Sequence, residues 1–253
     1  MKRLPRLFVA DIQSMSPRQH LYVWILPTSL LTLLMLFYFS GIDPLVQLVA
    51  PWANREWGLL ENLQVALLLA AAGVAFHGVK VKPLPIQKVG FLVAGCAALF
   101  IALEEMDYGR HILQLFSLDH KTVFEETFNA QNVHNMGNNS VYFRRFSYLF
   151  VMMVLGLSPF LDHERLPPVI RYLIPRPRML LLVPLFLVSY QLPRYLVEEG
   201  IFDAGPLNPN NTGEFTEMTV YAIVLVYFIH LVFEKEWPAP ADASARSYTY
   251  SGR

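Results

Sequence analysis

The stretch LYVWILPTSLLTLLMLFYFS (residues 21–40) runs for twenty residues without a charged side chain. About twenty consecutive apolar residues are what a helix needs to cross a hydrocarbon core of about 30 Å. Lipid offers no hydrogen bonds, so a crossing segment must satisfy its own backbone, and a helix does so. A cleaved leader would have an earlier, shorter apolar region closed by a small-residue cleavage site. Residues 21–40 therefore read as an uncleaved first transmembrane helix.

Working outward, comparable runs recur at 58–77, 89–106, 143–161, 179–197 and 216–233. The expectation is an all-α integral membrane bundle of six transmembrane helices. It would occupy residues 20–237, between a tail at 1–19 and a disordered tail at 238–253. Composition agrees: 54% of residues are hydrophobic and 16% charged, where soluble domains carry about 25% charged residues. Between the first two runs, Asp43-Pro44 reads as an N-cap followed by proline at the first helical position. The segment 44–56 is too short to span and reads as a short interfacial helix, with Trp52 and Trp57 at headgroup level.

Orientation follows from the basic residues. Both tails, Lys235 just before the second of them, and the loops at 79–88 and 162–178 hold 14 of the 20 Lys and Arg, leaving Arg55, Arg110, Lys121, Arg144, Arg145 and Arg194 on the other face. The positive-inside rule then puts both termini in the cytoplasm. Acids divide the opposite way, with 14 of 20 on the outer side, which reads as a functional surface. A formal net charge of zero without a basic stripe argues against nucleic acid as a partner. The single cysteine, Cys96, lies in an apolar run and is expected to fill a small space in the core.

Polar residues gather near the outer ends of several spans. Glu61, Asn62 and Gln64 open the second, and Glu104, Glu105, Asp107, Arg110 and His111 close the third. Asn132, His134 and Asn135 follow, then Arg194 and Glu217 in the last two spans. If the helix continues through 104–111, then Glu104, Asp107, Tyr108 and His111 stack on one face at i, i+3, i+4 and i+7. Ionisable groups at a membrane edge are costly unless paired, hydrated or liganded, so this region is the candidate site.

Carboxylates with imidazoles suit zinc, manganese or iron. Glu104, Asp107, His111 and His134 make a candidate ligand set for one divalent ion, which would activate water or polarise a phosphoryl or acyl group. An Arg–Glu network, such as Glu104 with Arg194 or Arg144, is the plain alternative. Glu104, Glu105, Asp107, His111 and His134 are the candidate catalytic groups. Arg144, Arg145, Arg194, Asn132 and Glu217 are the candidate contacts to a lipid substrate. The arginines either clamp an anionic headgroup or neutralise nearby acids. Thr122 and Glu125 have capping-box spacing, which predicts a short helix over 123–131. Glu214, three residues after Asn211, reads as a cap, and His77 and His230 as interfacial hydrogen-bonding groups near the cytoplasmic ends.

The stretches EEMDYGRHI (104–112) and NAQNVHN (129–135) resemble a group of multi-pass bacterial membrane proteins. Their pattern is Glu-Glu, an aromatic and Gly, then Asn-x-Gln and His-Asn. Glu104, Glu105, Tyr108, Gly109, Gln131, His134 and Asn135 carry the match, while Arg110 and Asp107 depart from it. The resemblance implies a bacterial inner membrane and no particular activity. From the residues themselves, the expected function is a metal-dependent hydrolase or transferase acting on a lipid or lipid-linked substrate. The alternative is a non-enzymatic subunit docking a periplasmic or membrane partner.

Overall fold

A computed structural model describes residues 3–53, 57–109, 139–157, 161, 166–203, 205–207 and 212–236. Among them every regular element is a helix. Helix α1 is Arg3–Gln13, and α2, Pro17–Tyr38, is the first of five helices long and apolar enough to cross a membrane. Its start is set by a capping box. Ser16 Oγ accepts from the Gln19 backbone N–H at 3.3 Å, Gln19 Oε1 accepts from the Ser16 N–H at 2.8 Å, and Pro17 takes the first helical position.

The short helix α3, Asp43–Val49, starts one residue earlier than expected. Asp43 lies inside it, Ile42 is the cap, and the Asp43 carboxylate accepts from Gln47 Nε2 at 3.3 Å. Helices α4 (Leu59–Val81) and α5 (Pro85–Glu105) form a hairpin. Glycines let their backbones approach: a Cβ at Gly95 would meet the Phe76 ring at 2.7 Å, and one at Gly78 the Phe91 ring at 2.8 Å. Cys96 is exposed, not a core filler, because it lies on the outward face of α5 with Leu92, Val93 and Leu99.

Helix α6 covers Asn139–Phe150 and continues through a π-helical segment, Val151–Leu157. The apolar part of the run expected to span at 143–161 is Arg145–Leu157, shorter than a spanning helix. Residues 158–160, which would complete it, lie outside the described residues. The sequence thus leads to six spans and the described residues to five. After α7 (Pro168–Leu173) come the last two long helices, α8 (Pro177–Glu198) and α9 (Glu214–Glu234).

Helix α9 is the hub. Of its apolar stretch 67% is buried, against 28–39% for the other four, and it packs on α4, α8 and α2. Around it the outward apolar side chains, such as Leu36, Val93, Leu103 and Val188, are exposed. A belt of this kind fits lipid contact, since hydrocarbon, unlike water, carries no cost for apolar surface.

Candidate functional site

Three helix ends meet at the acid-rich side. Helix α4 brings Glu61 and Gln64, both buried, and α5 ends with Glu104, buried, and Glu105. Helix α9 starts with Glu214 and Glu217. Gln64 Nε2 donates to the Glu214 backbone carbonyl at 3.0 Å and to its Oε2 at 3.1 Å, tying α4 to the first turn of α9. Glu214 is therefore a cross-helix acceptor; the cap is Gly213, and Asn211 lies outside the described residues. The Tyr221 hydroxyl donates to Glu105 Oε1 at 2.6 Å, tying α9 to α5. Polar pairing of this kind is how carboxylates are accommodated beside hydrocarbon.

The helical face expected to start at Glu104 is broken before Asp107 and Tyr108, and His111 lies outside the described residues. Helix α5 stops at Glu105, Met106 takes φ −91° and ψ 8°, and Asp107 and Tyr108 follow at φ 44° and 55°. Aspartate tolerates the left-handed region because its short side chain bonds locally, whereas a tyrosine there is strained. Such residues cost about 1–3 kcal/mol each and concentrate at functional sites. Asp107 nonetheless remains buried, in a turn one step beyond the helix end.

Beside these carboxylates is a cavity of about 420 Å³ bounded by α5, α6, α8 and α9, with Leu68 of α4 also in its wall. Its body is apolar, with Ala97, Ala98, Phe150, Phe186, Val224 and Phe228 in the walls. Glu104, Glu105, Glu217 and Tyr221 also line it. The cavity therefore has a hydrocarbon-like body and a carboxylate-bearing part, the division an amphipathic molecule requires.

Of the residues singled out from sequence, Glu104, Glu105 and Glu217 share this cavity, with Asp107 just past the end of α5. His111, Asn132 and His134 lie outside the described residues, as does the helix expected over 123–131. Arg145 is exposed on α6, and the Arg144 side chain is outside what is described. Arg194 bridges neither Glu104 nor Glu198, which follows it by four residues on the same helix, among the described residues. It folds back one turn, its guanidinium 4.6 Å from the Tyr190 ring centroid and Nη1 donating to the Tyr190 hydroxyl at 3.2 Å. No three His, Cys, Asp or Glu side chains among the described residues converge to hold a metal ion.

A second polar cluster, at the opposite ends of the helices, was not anticipated. Glu234, the last residue of α9, accepts from Gln19 Nε2 at 2.7 Å, from the Tyr22 hydroxyl, and from Arg178 Nη2 at 2.7 Å. Its Oε2 also lies 2.7 Å from His230 Nδ1. His230 is thus a buried partner one turn back on the same helix, not an interfacial group. Arg178 is equally buried, and its backbone N–H donates to Asp11 Oδ2 at 2.9 Å. His77, in contrast, is exposed and stacks on Phe233. The spacing of His230 and Glu234 in the last turn of an apolar helix was the available signal. The glutamine, tyrosine and arginine come from remote segments and carried none.

Compared with known proteins, the chain matches no family model, no curated protein and no solved structure.

Proposed function

We propose that this is a multi-pass membrane protein that binds a lipid or lipid-linked molecule, its hydrocarbon part in the α5–α6–α8–α9 cavity and its headgroup at the carboxylates. The observation that carries the reading is the cavity itself: about 420 Å³ of largely apolar space shared with Glu104, Glu105 and Glu217. Its size falls within the range of about 300–1,000 Å³ usual for small-molecule sites. By the distribution of basic residues, the carboxylate end faces away from the cytoplasm, both termini lie inside, and the run at 143–161 completes six spans. With lipid as the substrate, the chemistry is hydrolysis or group transfer at the headgroup. Glu105, hydrogen-bonded to Tyr221, is placed to exchange a proton with a bound molecule. A divalent ion on Glu104 and Asp107, with His111 and His134, belongs to the same proposal and would polarise an acyl or phosphoryl oxygen.

The test is to purify the full chain in mild detergent and identify lipid retained through gel filtration by mass spectrometry. A roughly stoichiometric lipid in the native protein, lost in Val224→Trp, is the expected result, because the indole fills the cavity. Equal lipid content in both proteins, with the variant still folded, would refute the reading. A stoichiometric protein partner in place of lipid would favour a docking subunit.

A further inference from the structure

At the basic end of the bundle a separate pocket of about 390 Å³ opens between the end of α4, the start of α5 and the residues that close α9. Lys82, Gln87, Lys235, His77 and Glu236 line it together with Phe233. Lys82 Nζ donates to the Lys235 carbonyl at 2.7 Å and sits 5.6 Å above the Tyr172 ring. Lys235 Nζ donates to the Ile174 carbonyl, and the neighbouring Arg176 Nη2 donates to the Glu234 carbonyl at 3.4 Å. All three cations hold backbone oxygens, and among the described residues none of them forms an ion pair.

An ammonium has three donors, so Lys82 and Lys235 each keep donors beyond the carbonyl already bound. Burial holds Lys235 down to about 8, and the Arg176 charge pushes the same way. Lys82 is lowered too, again chiefly by burial, with Glu236 opposing. Glu236 is exposed at the rim, and Glu234 is engaged by Arg178, His230, Gln19 and Tyr22. The pocket thus gathers two lysines that form no ion pair among the described residues, with Glu236 at its rim, where the long apolar helices end. Basic pockets between spans on the cytoplasmic side are where anionic lipid headgroups bind.

We propose that this pocket binds the phosphate of an anionic lipid headgroup, its oxygens held by Lys82 and Lys235 with Arg176 at the edge. The site is independent of the lipid cavity at the other end of the helices. A free phosphate monoester has the same chemistry, and the experiment separates the two sources.

Full-length protein in detergent is titrated with phosphatidylglycerol, with phosphatidylcholine as the zwitterionic control, and separately with glycerol 3-phosphate, each followed by native mass spectrometry. Phosphatidylglycerol is expected to be retained over phosphatidylcholine. Lys82→Gln and Lys235→Gln should each weaken its binding about fivefold, the usual worth of one basic residue at an anionic surface. Lys88→Gln, exposed in the first turn of α5, should leave it unchanged, and Lys235→Arg should restore it. Glycerol 3-phosphate binding with the same dependence on Lys82 and Lys235 would support the phosphate site and assign it a soluble ligand. Equal retention of the two lipids with no glycerol 3-phosphate binding would overturn the proposal, as would wild-type affinity in folded Lys82→Gln. Should Lys235→Gln not fold, the Lys82→Gln and Lys235→Arg results decide.

Discussion

The hydroxyl of Tyr221 and the carboxylate of Glu105, on different long helices, are joined by a 2.6 Å hydrogen bond at the wall of the apolar cavity. The bond fixes the central helix against the end of α5 and aims one glutamate at whatever the cavity holds. Tyr221→Phe removes the donor and leaves a carboxylate without that partner. Thermal unfolding in detergent is expected to show a loss of about 1–3 kcal/mol. Glu105→Gln keeps a hydrogen-bonding group at the position and should fold better than Tyr221→Phe while abolishing any headgroup chemistry. Equal activity in wild type and Glu105→Gln would remove Glu105 from the mechanism.

The α4–α5 hairpin gives a packing test with an internal ranking. Adding a Cβ at Gly78 presses on Phe91 Cγ, the base of a buried ring, whereas at Gly95 it presses on the far edge of the half-exposed Phe76 ring. Overpacking costs about 1–3 kcal/mol. Gly78→Ala should therefore be more destabilising than Gly95→Ala. Combining Gly95→Ala with Phe76→Ala should be less harmful than the sum of the two changes.

Glu234 is the acceptor on which Gln19, Tyr22, Arg178 and His230 converge. Removing one partner of a buried ion pair leaves the other without compensation and costs about 3–5 kcal/mol. Glu234→Ala and Arg178→Ala should each fall in that range by thermal unfolding. The double variant should lose clearly less than the sum of the two single losses, since no unpaired charge is left behind.

Lys235 supplies a pH signature. Its folded value near 8 lies below the ordinary lysine value, so between about 8 and 10.5 the unfolded chain binds more protons than the folded one. Its contribution therefore makes stability rise with pH across that window, in the absence of anions. Phosphate binding needs the charged ammonium, so phosphatidylglycerol affinity should decline as pH climbs past 8. Lys235→Arg should flatten that decline, because guanidinium does not titrate there. Arg176, Lys82 and Glu236 face the same group, and burial lowers Lys82 as well.

The spans were legible because an apolar run of membrane length states its own structure. Residues 21–40, 58–77 and 89–106 each fall almost entirely within an observed helix, and 179–197 and 216–233 fall wholly within α8 and α9. Their ends were less so. Ser16-Pro17-Arg18-Gln19 carries a capping box that starts the first span four residues before its apolar run. The break after Glu105 was hidden, since 104–111 reads as a helical face until two consecutive residues take left-handed backbone. At the candidate site, Glu104, Glu105 and Glu217 announce themselves as charges beside hydrocarbon, but Tyr221 reads as one more membrane aromatic. The Glu234 cluster was illegible for a different reason. Arg178 and Glu234 entered only as charges flanking spans, and their meeting is a contact across 56 residues of chain.

Gln19 faces two ways. Its oxygen closes the turn that starts the first span, and its nitrogen holds Glu234, 215 residues later in the chain. A single side-chain amide thus clasps the first of the five described long helices to the last of them. Synthesis runs from one to the other, so this clasp stays open until the final helix has been delivered to the bilayer. A chain halted before that point would leave a buried arginine facing an empty place, marking the nascent bundle as unfinished.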